Sequence, residues 1–169
     1  MSLTKPAYRG RKFLDPQGVF PDLERISVMA TAEDLRYEFQ SYLEREDVIF
    51  QVINSSDNII RVGYNTDAGD VEVLVDFDEN DNDAFCVHFF TQTGKCSSGY
   101  EPKAYIACNN WNRDHRWVKF YVDKDSDIDA DCDANIFPGS VGKDCLTVIH
   151  MIVLNVEEFR KENGEIIEY

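Results

Sequence analysis

The side chains of this sequence that could do chemistry are mainly carboxylates, and they are densest from Asp123 to Asp133. Aspartates fill the first, third and fifth positions of the segment, as they do in the calcium-binding loop of EF-hands. The match then fails, because Ile128 stands where that loop needs glycine and Ala134 where it needs a bidentate glutamate. From Asp127 onward, aspartates alternate with apolar residues, which predicts a strand with one packed face and one solvated carboxylate face. A weak Ca²⁺ site in the turn Asp123 to Asp127 is an open alternative, and no metal site is predicted.

Nucleophilic and metal-binding side chains are present, but their spacing is not that of a catalytic site. The chain has five cysteines and three histidines. The cysteines are odd in number, lack a Cys-x-x-Cys pair and lie among apolar neighbours, which is typical of reduced thiols packed in a core. The histidines lack a second ligand at zinc-site spacing, apart from Cys86 beside His88, and no nucleophile elbow, phosphate-binding loop or dinucleotide fingerprint occurs. The sequence therefore predicts a protein that is not an enzyme and has no cofactor.

The richest local pattern runs from Cys108 to Val122 and combines amides, aromatic rings and bases. The segment Asn110-Trp111-Asn112 precedes a basic and aromatic strand that includes Arg116 and Trp117. We expect Trp111 to pack in the core and the two asparagines to cap the end of a helix and the loop after it. Direct contact of these amides with a ligand is the alternative.

This pattern resembles the bacterial YbjN family, whose members are described as sensory transduction regulators. The Asn-Trp-Asn segment, the basic and aromatic strand and the acidic turn after it carry the resemblance, and the order of predicted elements agrees over about residues 31 to 163. The resemblance implies the fold of type III secretion chaperones, which dimerise and hold an extended segment of a client protein. It implies a binding or regulatory role and no catalytic residue. The residues that we expect to contact a protein partner are Tyr105, Cys108, Asn110, Trp111, Asn112 and Trp117.

Periodicity predicts the elements that position these residues. Thr31 to Asp34 read as a capping box that starts a helix ending near Glu46. A second helix opens at Tyr100, with Pro102 in its first turn, and a third follows Pro138-Gly139-Ser140 and ends by Gly164. The face of the second helix that we expect to pack consists of Ala104, Tyr105, Cys108 and Trp111. Period-two runs predict six strands, at Val48 to Ile53, Ile59 to Tyr64, Asp70 to Asp76, Ala84 to Thr91, Arg116 to Asp123 and Asp127 to Ile136.

The predicted order is helix, about four strands, helix, two strands, helix, which defines the fold class. It is an α+β domain in which three helices flank a single antiparallel sheet. We assign residues 31–169 to this domain and residues 1–30, where proline and glycine break every pattern, to an N-terminal arm that docks in part. Four basic residues in the first twelve of the arm would let its tip fold back on an acidic surface.

Charge limits the classes of partner. The chain has 32 acidic and 17 basic side chains, a net charge of -15, and such a field repels nucleic acid and anionic membranes. No apolar run reaches the roughly 20 residues of a transmembrane helix, and none follows the basic start as in a secretory signal, so a cytoplasmic protein is predicted. We expect a protein client or regulatory partner and a homodimer. The alternative function is a small-molecule or metal-ion sensor that uses the acidic turns.

Overall fold

A computed structural model of the chain describes residues 30–54, 58–77 and 86–168. Within these ranges it contains three helices and seven strands. In chain order they are α1 (Ala32–Arg45), β1 (Phe50–Asn54), β2 (Ile59–Tyr64), β3 (Val71–Asp76), β4 (Cys86–Cys96), α2 (Glu101–Asp114), β5 (Lys119–Val122), β6 (Asp127–Asn135), α3 (Val141–Asn163) and β7 (Ile167–Glu168). The expected N-terminal arm lies outside the described residues except for Ala30.

The strands form one open antiparallel sheet in the order β1-β2-β3-β4-β6-β5, and β7 pairs with β4. The helices cover one face of it: α1 packs on α3, α3 packs on β3, β4 and β6, and α2 packs on β5 at the sheet edge. This architecture confirms the predicted α+β class with a single antiparallel sheet. No helix in the described part of the chain has the length and apolarity to cross a membrane.

Hydrogen bonds define where two of the helices begin, through local sequence at α1 and through a tertiary contact at α3. The predicted capping box is present at α1, since the Asp34 N–H donates to Thr31 Oγ1 (3.1 Å) and the Thr31 N–H donates to Asp34 Oδ2 (2.9 Å). The bond from the Thr31 N–H and a second from the Thr31 hydroxyl (2.9 Å) hold the pKa of the Asp34 carboxyl below its ordinary value. At the start of α3, the Gly139 N–H donates to the Glu38 carboxylate of α1 (2.9 and 3.0 Å). The first turn of α3 therefore lies against α1.

The contact between α1 and α3 is close because Gly142 has no side chain. A Cβ atom added to Gly142 would lie well inside van der Waals contact of Tyr42 Cγ. The ring of Tyr42 thus packs on the backbone of α3. Gly142 is buried at this contact, and any larger residue there would force α1 and α3 apart.

Strand β6 shows the predicted alternation, with one exception. Ile128, Ala130 and Cys132 are buried on the helix-covered face. Asp127, Asp131 and Asp133 lie on the opposite face and are partly or well exposed, but Asp129 is only 7% exposed. The expectation of a fully solvated carboxylate face was therefore wrong at Asp129, which lies between β4 and β5 with Gln92 and Tyr121 as its cross-strand neighbours.

Strands β3 and β4 pair at one end and separate at the other, a feature that periodicity did not predict. Their last pair is Leu74 with Phe90, and the next pairs in register, Val73 with Thr91 and Glu72 with Gln92, do not form. Arg160 of α3 bridges the separation: its Nε donates to the Thr93 carbonyl (2.8 Å) and its Nη1 to the Asp70 carbonyl (2.8 Å). A groove of about 380 Å³ remains beside it.

Candidate functional site

Helix α2 is held to the rest of the molecule by an aromatic cluster. Trp111 packs edge-on against Phe120 of β5 and Phe159 of α3, with ring centroids 5.6 and 5.4 Å apart, and its ring stacks on His115 at 3.9 Å. Phe120 and Phe159 also stack on each other at 4.3 Å. Such pairs add directional contacts to the burial of large apolar area. The prediction that Trp111 packs in the core is confirmed, since it is 4% exposed.

Asn112 joins α2 to the outer edge of β5. Its Nδ2 donates to the Phe120 carbonyl (2.8 Å), and its Oδ1 accepts from the Phe120 N–H (2.9 Å). The side-chain amide therefore replaces the neighbouring strand that the sheet edge lacks. The expectation that Asn112 caps the helix end was wrong, because a terminal cap was inferred from local sequence whereas the partner is eight residues away. Asn110 is exposed, and its Oδ1 accepts from Arg113 Nη1 (3.3 Å).

Trp117 occupies a strained turn between α2 and β5. Its φ angle is 70°, and the Val118 N–H donates to the Arg116 carbonyl (2.9 Å), so the three residues form a γ-turn of the rare positive-φ type. A bulky residue in this region is disfavoured by roughly 1–2 kcal/mol. The side chain gains little burial in return, because Trp117 is 70% exposed. The turn thus directs the largest side-chain type into solvent at a cost in stability.

The surroundings of Trp117 are basic, although the whole chain is strongly acidic. Arg113 pairs with Asp114 (2.8 Å), and Lys119 Nζ donates to two carbonyls at the end of α2. Arg116 is exposed, and among the described residues no carboxylate lies within ion-pair distance of it. We call this surface the Trp117 corner and define it as Arg113, Arg116, Trp117 and Lys119.

The structure separates the predicted contact residues into two groups. Cys108 and Trp111 are each 4% exposed and lie in the core, and Asn112 is half-buried against β5. Tyr105, expected on the packed face of α2, is instead 55% exposed. It lies outward because α2 packs mainly on the edge strand β5 and meets α3 through Trp111, so its buried stripe is narrow. A partner can therefore reach Tyr105, Asn110 and Trp117 without rearrangement of the fold. Exposed Ile106, beside Tyr105, was not among the predicted residues.

Four of the five thiols are buried in the core and have raised pKa values. Burial raises the pKa of Cys108 and of Cys132 to about 11, and burial also raises the pKa of Cys145 and of Cys96. A thiolate nucleophile requires the opposite shift. The 380 Å³ groove beside Arg160 is lined by neither a cysteine nor a histidine.

In the acidic turn from Asp123 to Asp127, a side chain of the turn accepts hydrogen bonds from the backbone of the turn. The Asp123 Oδ1 atom accepts from the N–H groups of Asp125 and Asp127, both at 2.8 Å. Within residues 30–54, 58–77 and 86–168, no group of three histidine, cysteine, aspartate or glutamate side chains has the geometry to hold a metal ion. The Asp123 carboxylate therefore stabilises the turn by hydrogen bonds to the backbone of the turn itself.

Three helices on one face of an open antiparallel sheet, with an exposed aromatic corner at the sheet edge, define the α+β class of this domain. The chain belongs to the YbjN family: the family model, described as "Putative bacterial sensory transduction regulator", matches residues 22–139. Its fold is similar to the crystal structure of YbjN from E. coli, described there as "a putative transcription regulator". The TM-score is 0.59 at 7% identity, over 79% of this chain and 95% of that chain. No curated protein sequence matches the chain significantly.

Proposed function

We propose that the chain is a regulatory domain that acts by binding a partner protein, without catalysis, and that the partner docks on the Trp117 corner. The proposal is finer than the family description, which names a regulator and no partner. The partner it requires is an acidic protein segment that also carries an apolar side chain. Exposed Trp117 would contact the apolar group, and Arg116 and Lys119 would contact the carboxylates.

The observation that carries this proposal is the conformation of Trp117. Strained backbone persists where the surrounding structure enforces it, and such positions cluster at functional sites. Here the strain holds a tryptophan 70% exposed. Tryptophan is also among the residue types that dominate the binding energy of protein interfaces. A role in folding alone would have favoured burial of the indole or a glycine at this position.

The charges of the corner support an acidic partner. An exposed positive patch on a chain of net charge -15 attracts carboxylates locally while the rest of the surface repels them. Arg116 is available for such contact, because none of the described carboxylates lies within ion-pair distance of it. Partner binding through this patch would therefore be specific in orientation and sensitive to salt.

The experiment compares capture by three tagged full-length chains from native lysate: wild type, Trp117→Ala and Leu154→Ala. Leu154 is the matched control, since it is 64% exposed but lies on α3. A protein retained by wild type and by Leu154→Ala but lost by Trp117→Ala supports the proposal. Equal retention by all three chains contradicts it.

Fluorescence then tests whether the purified partner covers the indole. The chain has two tryptophans, so Trp111→Phe leaves Trp117 as the single reporter. We expect a blue shift and loss of iodide quenching when the partner binds, because the indole leaves water. An unchanged spectrum in a formed complex would place the partner elsewhere and refute the proposed site.

Chaperone-like dimerisation forms a second part of the proposal. The exposed face of α2 presents Tyr105 and Ile106, 55% and 60% exposed, as an apolar patch that could meet its own copy across a two-fold axis. A dimer held by apolar burial persists or tightens as salt screens the repulsion between acidic subunits. Sedimentation of wild type and Ile106→Asp at low and high salt tests this. A wild-type chain that is still monomeric at about 100 μM would refute the dimer, because that concentration corresponds to a free energy of association of roughly -5 to -6 kcal/mol.

A further inference from the structure

The sheet face opposite the helices is covered by no helix within the described residues. Its centre is apolar, with Leu74 and Phe90 paired and half-buried. Beside this strip, Asp127, Asp129, Asp131 and Asp133 project from β6, and we call these four the acidic ladder. In an antiparallel sheet such alternate residues lie about 7 Å apart on one face. The open face therefore combines an apolar strip with a regular row of negative charges.

The inner part of the ladder makes no ion pair with the described residues, although Lys119 is the cross-strand neighbour of Asp131, because the Lys119 ammonium group donates instead to carbonyls at the end of α2. Asp127 lies 3.7 Å from Lys95, and Asp133 lies 2.7 Å from His88, but no basic side chain among the described residues lies within ion-pair distance of Asp129 or Asp131. Burial, followed by the charges of neighbouring aspartates, raises the pKa of Asp129 to about 6. Positive charge brought against the middle of the ladder would offset the repulsion between these carboxylates.

The N-terminal sequence has the complementary pattern. Lys5, Arg9 and Arg11 stand at odd-numbered positions, so they project from one side of an extended chain. The run from Lys5 to Lys12 spans about 23 Å when extended, close to the roughly 20 Å from Asp127 to Asp133 along β6. These residues also precede the family match, which begins at residue 22. The basic run therefore lies outside the part of the chain that the family model matches.

We propose that the open face of the sheet is the docking site of the chain's own N-terminal segment, residues 1–29. The bases Lys5, Arg9 and Arg11 contact the acidic ladder. The apolar residues that follow cover the strip formed by Leu74 and Phe90. They are Phe13, Leu14, Val19, Phe20, Leu23 and Ile26.

The place where the segment joins the domain permits this path. Arg36, within two turns of the start of α1, contacts Asn58 beside the first residue of β2 (3.3 Å), so α1 begins near that end of the sheet. Because α1 lies on the helix-covered face, the chain must pass around the end of the sheet and then cross three strand spacings from β2 to β6, about 14 Å. The residues between 13 and 29 are several times longer than that distance when extended. Docking within one chain is also favoured by the high effective concentration of a tethered segment.

A spin label placed on the segment tests the docking by broadening nearby amide signals in NMR spectra. Gly10→Cys carries the label, because it leaves all four bases intact, and Cys86→Ser removes the one native cysteine that is not buried. We expect loss of the amide signals of residues 129–133 and 88–90. The matched control carries the label at Lys143→Cys, exposed at the start of α3, and should leave those signals intact.

The outcomes separate the possible occupants. A mixture of isotope-labelled chain without spin label and spin-labelled chain without isotope should show no signal loss; loss there identifies a second copy as the occupant and overturns the proposal. Asp131→Lys with Asp133→Lys should restore the lost signals, whereas Glu158→Lys with Glu162→Lys, the same change in net charge on α3, should not. Intact open-face signals with the label at position 10 also overturn the proposal. None of these readouts requires Trp117 or Arg116, so failure of the docking and failure of the proposed partner site are distinguishable.

Discussion

Replacement of Asn112 by alanine should destabilise the domain far more than its half-exposed position suggests. The side chain makes two hydrogen bonds to the backbone of Phe120, at 2.8 and 2.9 Å. Each contributes about 1 kcal/mol net, and their loss also leaves an N–H and a carbonyl on the edge of β5 without partners. We therefore expect Asn112→Ala to lower the free energy of unfolding by about 2–3 kcal/mol. For a domain of this size that corresponds to about 5–10 °C in the melting temperature.

Urea unfolding followed by the fluorescence of buried Trp111 measures this change. Asn109→Ala is the matched control, since Asn109 lies on the same helix and is exposed, and it should stay within about 0.5 kcal/mol of wild type. Asn112→Asp keeps the acceptor but places a carboxylate against the Phe120 carbonyl, so it should also be destabilised at neutral pH. An Asn112→Ala chain as stable as the control would refute the interpretation of Asn112 as a substitute for the missing strand.

Three further substitutions test other parts of the structure. Trp117→Gly should be more stable than Trp117→Ala by about 1 kcal/mol in thermal unfolding, because glycine tolerates the positive φ angle; equal stability would argue against strain. The pKa of Asp129, about 6 in the folded chain, lies above its unfolded value, so the stability that it contributes at low pH is lost as the pH rises through 6. The free energy of unfolding of Asp129→Asn, relative to wild type, should therefore be roughly 1–2 kcal/mol higher at pH 8 than at pH 4, after allowance for solvent screening. An equal difference from wild type at the two pH values would contradict this. Gly142→Ala, whose Cβ would meet Tyr42, should cost about 1–3 kcal/mol in urea, whereas Gly63→Ala, with open space around it, should stay within about 0.5 kcal/mol.

The features that the sequence predicted well are those that neighbouring residues determine. The capping box at Thr31 and Asp34, the proline in the first turn of α2 and the alternation of β6 were confirmed. Each depends on contacts within a few residues or on a strict period. The predicted end of β4 at Thr91 was too early, because Thr91 and Thr93 occupy core positions where apolar residues were expected.

The features that were missed depend on residues far apart in the chain. The pairing of Asn112 with Phe120, the outward position of Tyr105 and the γ-turn at Trp117 follow from α2 lying at a sheet edge. No local sequence signal predicts them. A positive φ angle usually occurs at glycine or asparagine, whereas position 117 is a tryptophan. Strand β7 is only two residues long, too short for a period to show.

The bridge formed by Arg160 determines when the sheet can be completed. Arg160 contacts the carbonyls of Thr93 and Asp70, which precede it by 67 and 90 residues. Closing loops of this length is slow and must precede the gain from the contact. During synthesis, β3 and β4 leave the ribosome long before α3 does, so a nascent chain has their separated ends without the guanidinium that joins them. We expect the middle of the sheet to become protected from proteolysis only after α3 has been translated.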